Sequence, residues 1–402
     1  MSVSTPAVPA SSSDEVVHEV GGAAYTPLET GSTVLLGILS LLISGLLGLL
    51  LSTLADEHRL AASGIGLAAM LEALSTGLVT GLAGAVLKPR RLRLVAAVAS
   101  VALIAINLAT LRTSGGGVLA IRALAGLPEG LLLWIAIGFI ARTQTPERWA
   151  AVLFTGMGIT QLGAATLLTA YILPRFGANG GYVMLAGAAA LGLPLTALIP
   201  RALADLPRAE GGSGAPPPKG WIALFATLCY AAPIAAVAVY VVPLAHEAGL
   251  STGVGRTAIS VGLACQILGG ALATVLAGRV RYITIFWFCA AALLATWATY
   301  AVSAPAALFV GMAGLGGLCG GLGGPFLVPM TIEVDPTRRT AMQSGAVQLL
   351  AGAFGPLLAA MVVGERETHG VLVLSAALLL VGLAVMVGLH RAAQASRSAA
   401  PA

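Results

Sequence analysis

Long apolar runs separated by short polar breaks dominate the chain. A helix needs roughly 20 apolar residues to cross a hydrocarbon core. With that window the pattern predicts twelve spans, near 32–53, 62–87, 93–112, 116–141, 149–173, 181–200, 220–244, 254–278, 283–303, 306–332, 340–363 and 370–390. The expected fold class is therefore an all-α membrane protein with twelve transmembrane helices, most of it inside the bilayer.

The polar breaks carry orientation. If both ends share one side, that side receives fifteen lysines and arginines against five on the other, with Arg122 left inside a span. The positive-inside rule then puts both termini in the cytoplasm. The longest break, "RALADLPRAEGGSGAPPPKG", follows the sixth span and reads as a linker. The expected organisation is a disordered cytoplasmic tail over 1–30, a six-helix bundle over 31–200, a linker over 201–219, a second bundle over 220–391 and a tail over 392–402. The first thirty residues lack a basic start followed by an apolar stretch, so they do not read as a signal peptide. The halves align at an offset of 190 residues, which matches Gly126 with Gly316, Gly130 with Gly320, Pro146 with Pro336 and Arg148 with Arg338. Four matches around equivalent spans point to an internal duplication and two pseudo-symmetric bundles.

Composition sharpens the class. Of 402 residues 58% are hydrophobic and 9% charged, with a mean hydropathy of +0.95. Soluble domains carry about 25% charged residues. The four cysteines lie in apolar runs without metal or disulfide spacing and read as packing residues. The net charge of +5 is spread over short loops, which speaks for membrane orientation and against nucleic acid. No nucleophile–base or metal constellation appears, so neither an enzyme, a metal nor a cofactor is expected.

Three features resemble the major facilitator superfamily: twelve spans with related halves, the central loop, and "VLAIRALAG" in span 4. The last resembles that family's fourth-helix signature, an arginine followed four residues later by glycine, here Arg122 and Gly126. The resemblance implies two bundles that rock about a central site. It implies that helices 1, 4, 7 and 10 line the cavity, that 2, 5, 8 and 11 flank it, and that 3, 6, 9 and 12 face outward. Two departures stand out. The loop between spans 2 and 3, "GAVLKPRRLR", has Lys88 where the family's aspartate would fall, although Arg90 and Arg91 keep its basic cluster. Span 5 lacks the proline of the family's antiporter motif, while a similar pattern, "GAFGPLLAA", occurs in span 11.

The unusual charges lie in "IRALAGLPEGLLLW". Arg122 and Glu129 are seven residues apart, so they share a helix face about 10 Å apart along the axis. Glu72 in span 2 sits at a comparable depth. A charge at midplane costs roughly 2.5–3.5 kcal/mol on insertion scales, so lipid exposure is excluded. Two readings stay open: an Arg–Glu pair that holds helices 2 and 4 together, or a cavity-facing carboxylate that takes a proton while Arg122 tunes it. Pro128 removes a backbone donor next to Glu129 and can open the helix locally.

Other candidates follow from residue type. Tyr230, in the proline-broken span 7, and Trp134 are expected to face substrate, and Gln161, Gln266, Gln343 and Gln348 either bind substrate or glue helices. Gly316, Gly320 and Gly324 recur every four residues as a packing face or flexible gate. Arg90, Arg91, Arg338 and Arg339 are gating candidates at the basic loops, the last two with Glu333 or Asp335 as ion-pair partners. "DEHR" (56–59) reads as a solvated loop. The function expected is proton-coupled secondary transport of a small organic, amphipathic or aromatic solute by a monomer in a bacterial-type inner membrane. Its direction stays open between uptake symport and efflux. The alternative is a lipid or amphiphile flippase.

Overall fold

The computed structural model describes residues 25–204, 215–363 and 369–398. Among the described residues ten helices are long and apolar enough to cross a membrane. One of these, Pro146–Leu198, holds two crossings, because Gly177 leaves the helix with φ 59° and ψ −157°. Only glycine adopts that backbone freely. Arg339–Ala360, made less apolar by Gln343, Ser344 and Gln348, completes the twelve.

Helix 1 runs from Pro27 to Ser40, passes through a 3-10 turn at Ile43–Gly45 and resumes as Leu47–Asp56. A Ser-Gly pair at the break is a known cause of a kink. Helices 2 to 4 are Ala62–Val86, Leu92–Thr110 and Gly116–Ile140. Helix 5 is Pro146–Leu167 with a π turn at Leu168–Ile172, and helix 6 is the part of Leu173–Leu198 beyond Gly177. Helices 7 to 12 are Pro218–Glu247, Thr252–Leu276, Tyr282–Tyr300, Ala306–Val334, Arg339–Ala360 and Gly370–Ser398.

Two expected tails are corrected. Thr26 and Glu29 form a reciprocal capping box, and Tyr25 packs on Phe139, so helix 1 already begins inside the 1–30 segment. Residues 1–24 of that segment lie outside the described residues, as do 205–214 of the expected linker. Helix 12 runs on to Ser398, well into the segment expected as a tail.

The duplication is visible in how glycines seat one helix on another. A Cβ on Gly126 would fall 2.6 Å from the Glu72 carbonyl, and one on Gly130 would fall 2.7 Å from that of Thr76, so helices 2 and 4 meet backbone to backbone. In the second half Gly317 and Gly321 press in the same way on the carbonyls of Gly262 and Gln266, joining helices 8 and 10. The offset is 190 on helices 2 and 8 but 191 on helices 4 and 10. Gly316 and Gly320 are therefore not the packing glycines. A Cβ there would make only ordinary contacts, 3.5 Å to Thr296 and 3.6 Å to Ile234. The sequence "GLGGLCGGLGG" repeats glycine every four residues on both faces, and the close approach uses the neighbouring one.

The halves meet through helix 2 on helix 11 and helix 5 on helices 8 and 10. At the end carrying the loops 87–91, 141–145 and 335–338, called here the basic end, Val328, Ala341 and Met342 join one core with Trp134, Phe139 and Ile140. That end is closed.

Candidate functional site

Arg122 is fully buried inside the first bundle, where four helices converge on it. Its Nη1 is 3.4 Å from Glu72 Oε1 on helix 2. Its Nη2 donates to Thr110 Oγ1 at 2.8 Å and to Asn107 Oδ1 at 3.5 Å, both on helix 3. The guanidinium also lies over the Tyr182 ring of helix 6, 5.0 Å from its centroid, within cation–π range.

Glu129 completes the cluster. Its Oε2 accepts from Thr76 Oγ1 at 3.2 Å, and its carboxyl comes within hydrogen-bonding reach of that of Glu72. Glu72 Oε2 and Glu129 Oε1 have no hydrogen-bond partner among the described residues and are closed to solvent. Two carboxyls and one guanidinium thus share a dry pocket between helices 2 and 4. Neither Glu129 nor Glu72 opens on the central cavity, which corrects the expectation of a cavity-facing carboxylate. The glycine seats at Gly126 and Gly130 bring helix 2 so close that the Glu129 side chain meets helix 2 instead.

The central cavity, of about 470 Å³, lies between the halves. Leu41 and Ser44 of helix 1, Leu133 and Ile137 of helix 4, and Phe154 and Met157 of helix 5 face it from the first half. Among the described residues no charged side chain lines it. Its polar points include Gln266 and Gln348, two amides without a hydrogen bond among the described residues.

The other two glutamines tie helices together. Gln161 Nε2 donates to the Leu41 carbonyl at 2.8 Å and Ser44 Oγ at 3.1 Å, satisfying the break in helix 1. A Cβ at Gly45 would strike that amide. Gln343 Nε2 donates to the Gly81 carbonyl at 3.0 Å, across the halves. Trp134 is packed in the core at the basic end and does not reach the cavity, which corrects its substrate-binding assignment. Tyr230 lines the cavity but is buried, with its ring 5.1 Å from that of Phe286.

The gating ion pair expected at the basic loops is not formed among the described residues. Arg338 Nη1 donates to the carbonyls of Ala141 at 2.8 Å and Thr143 at 3.0 Å, at the end of helix 4. Asp335 caps helix 11 by accepting from Thr340 N at 2.9 Å, and Glu333 binds Tyr282 and His390. Arg339 bonds to neither acid among the described residues, and Arg90 and Arg91 are exposed, with Arg90 forming a β-bridge to Ala202 after helix 6. Sequence reasoning passed over Arg142, whose Nη1 touches Met342 Sδ of the other half at 3.6 Å. "DEHR" is no free loop either: Glu57 accepts from Ala178 N at 2.6 Å, fixing the Gly177 turn, and Arg59 donates to the Thr110 and Thr113 carbonyls that end helix 3.

No protein-family model and no curated protein matches the sequence. Solved structures do. FucP, a major facilitator superfamily transporter in its outward conformation, matches with a TM-score of 0.71 at 12% identity, over 90% of this chain and 98% of that one. A second structure of FucP, the E. coli fucose:proton symporter, gives a TM-score of 0.69 at 13% identity, over 90% and 98%. XylE, a proton:xylose symporter of the superfamily bound to 6-bromo-6-deoxy-D-glucose, gives 0.65 at 14%, over 90% and 96%. At such identities the likeness establishes the fold.

Proposed function

On a chain with the major facilitator fold, we propose a proton-coupled secondary transporter of a small, uncharged amphipathic or aromatic solute. The observation that carries it is the buried Glu72–Glu129–Arg122 cluster beside a cavity without charge. Two carboxylates and one guanidinium in a site closed to water would leave a net negative charge, which is costly there. One proton held by the pair of carboxyls makes the cluster neutral. Loss of that proton leaves a charge that helices 2 and 4 can accommodate only by moving apart or opening to water. Helix 4 transmits the change, since Leu133 and Ile137 on the same helix line the cavity. The halves, 31–200 and 220–391, rock about that cavity on the linker 201–219. The membrane is a bacterial-type inner membrane with both termini cytoplasmic.

The cargoes of FucP and XylE are sugars, but the cavity here favours a less polar cargo. Sugar recognition needs many hydrogen-bonding groups, and this wall offers chiefly two amides and a few hydroxyls.

Glu129→Gln tests the proton role, with proteoliposomes, an imposed pH gradient and a transported solute found by screening. The variant keeps shape but cannot release a proton. It is expected to exchange solute downhill while losing gradient-driven accumulation. Accumulation at the parental rate would reduce the cluster to a structural pair. Gradients of either sign separate symport from antiport.

A further inference from the structure

The two halves place opposite chemistries at equivalent positions. Helices 3 and 9 are both 19 residues long and begin 190 residues apart, at Leu92 and Tyr282. With the glycine seats fixing helices 2, 4, 8 and 10, Glu72 corresponds to Gly262, Arg122 to Ala313 and Glu129 to Gly320. Asn107 and Thr110, which hold Arg122, correspond to Trp297 and Tyr300. Large charged and polar side chains fill the interior of the first half. In the second half those same places carry small residues and aromatic rings.

The space so vacated is not sealed. Gly262, Ala313, Gly320, Trp297 and Tyr300 all line the central cavity, which therefore reaches past helix 10 to helix 9. Helix 9 was expected to face outward. It is reached because helix 10 presents Gly316 toward it: a Cβ there would already stand 3.5 Å from Thr296. Behind the wall, Tyr300 stacks on Phe309 with centroids 4.4 Å apart, which fixes its plane. Thr296 offers no free hydrogen, since its hydroxyl is committed to the Ala292 and Met312 carbonyls.

We propose that this side chamber, bounded by helices 7 to 10, is a binding site for an uncharged aromatic or alicyclic ring of the cargo. Trp297 and Tyr300 supply flat apolar walls, and rings against such walls favour offset or edge contacts over charge recognition. A charged group would lose its hydration there with no counter-ion to meet it. The transport reading supplies what the chamber is for; whether the chamber binds a ring is a separate matter.

Benzophenone tests it, being neutral, with two rings and one carbonyl, and inserting into nearby C–H bonds when irradiated. The full chain is labelled in lipid nanodiscs and the adducts are mapped by mass spectrometry. Adducts are expected on helix 9 and helix 10 peptides around Trp297, Tyr300 and Ala313. Gly316→Val should cut the helix 9 adducts about tenfold by filling the gap, while Val98→Ala on the exposed face of helix 3 should leave them unchanged. Adducts confined to outward-facing residues such as Trp287 and Phe288 in the unaltered protein would overturn the chamber, whether or not the variant folds. Labelling of the chamber in a protein that drives no solute in proteoliposomes would sink the transport reading and leave the binding site standing.

Discussion

Arg338, at the N-cap position of helix 11, donates to the carbonyl of Ala141 at the end of helix 4, 2.8 Å away in the other half of the molecule. The last carbonyls of a helix have no partner within it and carry the negative end of its dipole. A guanidinium from the opposite half meets both needs. The basic end is thus held partly by cation-to-backbone contacts, and an acidic residue in the loop is free for other work. Asp335 uses that freedom to fix the first turn of helix 11.

Removing the contact should open the basic end. Arg338→Ala deletes two charge-assisted hydrogen bonds, a net loss of about 2 kcal/mol, which shifts the closed-to-open ratio roughly thirtyfold. A cysteine at Ser344, which lines the cavity near that end, reports the change in a cysteine-free background. It should react correspondingly faster with a thiol reagent supplied from the basic side. An unchanged rate would mean that the core around Met342 closes the gate unaided.

The two glycine faces of helix 10 separate by substitution. A Cβ at Gly321 collides with the Gln266 carbonyl, whereas one at Gly320 stands 3.6 Å from Ile234. Gly321→Ala should therefore cost about 3 kcal/mol or more, at the upper end of overpacking effects, and lower the yield of folded protein. Gly320→Ala should fold normally. The opposite order, read by size-exclusion profile and thermal unfolding, would reverse the assignment of the faces.

Among the glutamines, Gln161→Leu is expected to be the destabilising change. It strips a donor from the Leu41 carbonyl at the break in helix 1, for a loss of about 1–3 kcal/mol. Gln266→Leu touches an amide with no partner and should leave thermal stability nearly unchanged. Equal unfolding temperatures in the two variants would show that Gln161 does not support the break.

Orientation has a direct readout. Lys88 and Ser251 are exposed at opposite ends of the molecule. In a cysteine-free background and intact cells, Ser251→Cys should label with a membrane-impermeant thiol reagent and Lys88→Cys should resist it. The reverse pattern would invert the topology derived from the basic loops.

Much of this was legible in the residues, for identifiable reasons. Apolar run length set the twelve crossings, and a seven-residue spacing put Arg122 and Glu129 on one face, where the structure brings both to Glu72. What stayed hidden depends on partners that residue letters do not display. The glycine-rich run offers the same four-residue period on two faces, so only the approach of helix 8 distinguishes Gly317 and Gly321 from Gly316 and Gly320. Arg338 binds carbonyls, and every residue has one, so a search for acidic partners points elsewhere. Gln161 and Gln266 are alike as letters; the break in helix 1 occupies one and leaves the other to the cavity. Glu129 faces helix 2 and not the cavity because Gly126 and Gly130 admit helix 2 too closely for any other outcome.

The contrast between Glu72 and Gly262, or Glu129 and Gly320, has a bearing on how such a molecule can change. A duplicated unit with the same groups in both copies would tie fuel and freight together, and every adjustment to one would disturb the other. Under the transport and ring-binding readings proposed above, the copies have specialised. New shapes can be accepted by reshaping the small-residue side of helix 10 and the rings of helix 9, while the ionisable machinery in the other copy stays as it is. An engineer seeking a different payload would leave the first half alone and build a library across Gly262, Ala313, Trp297 and Tyr300.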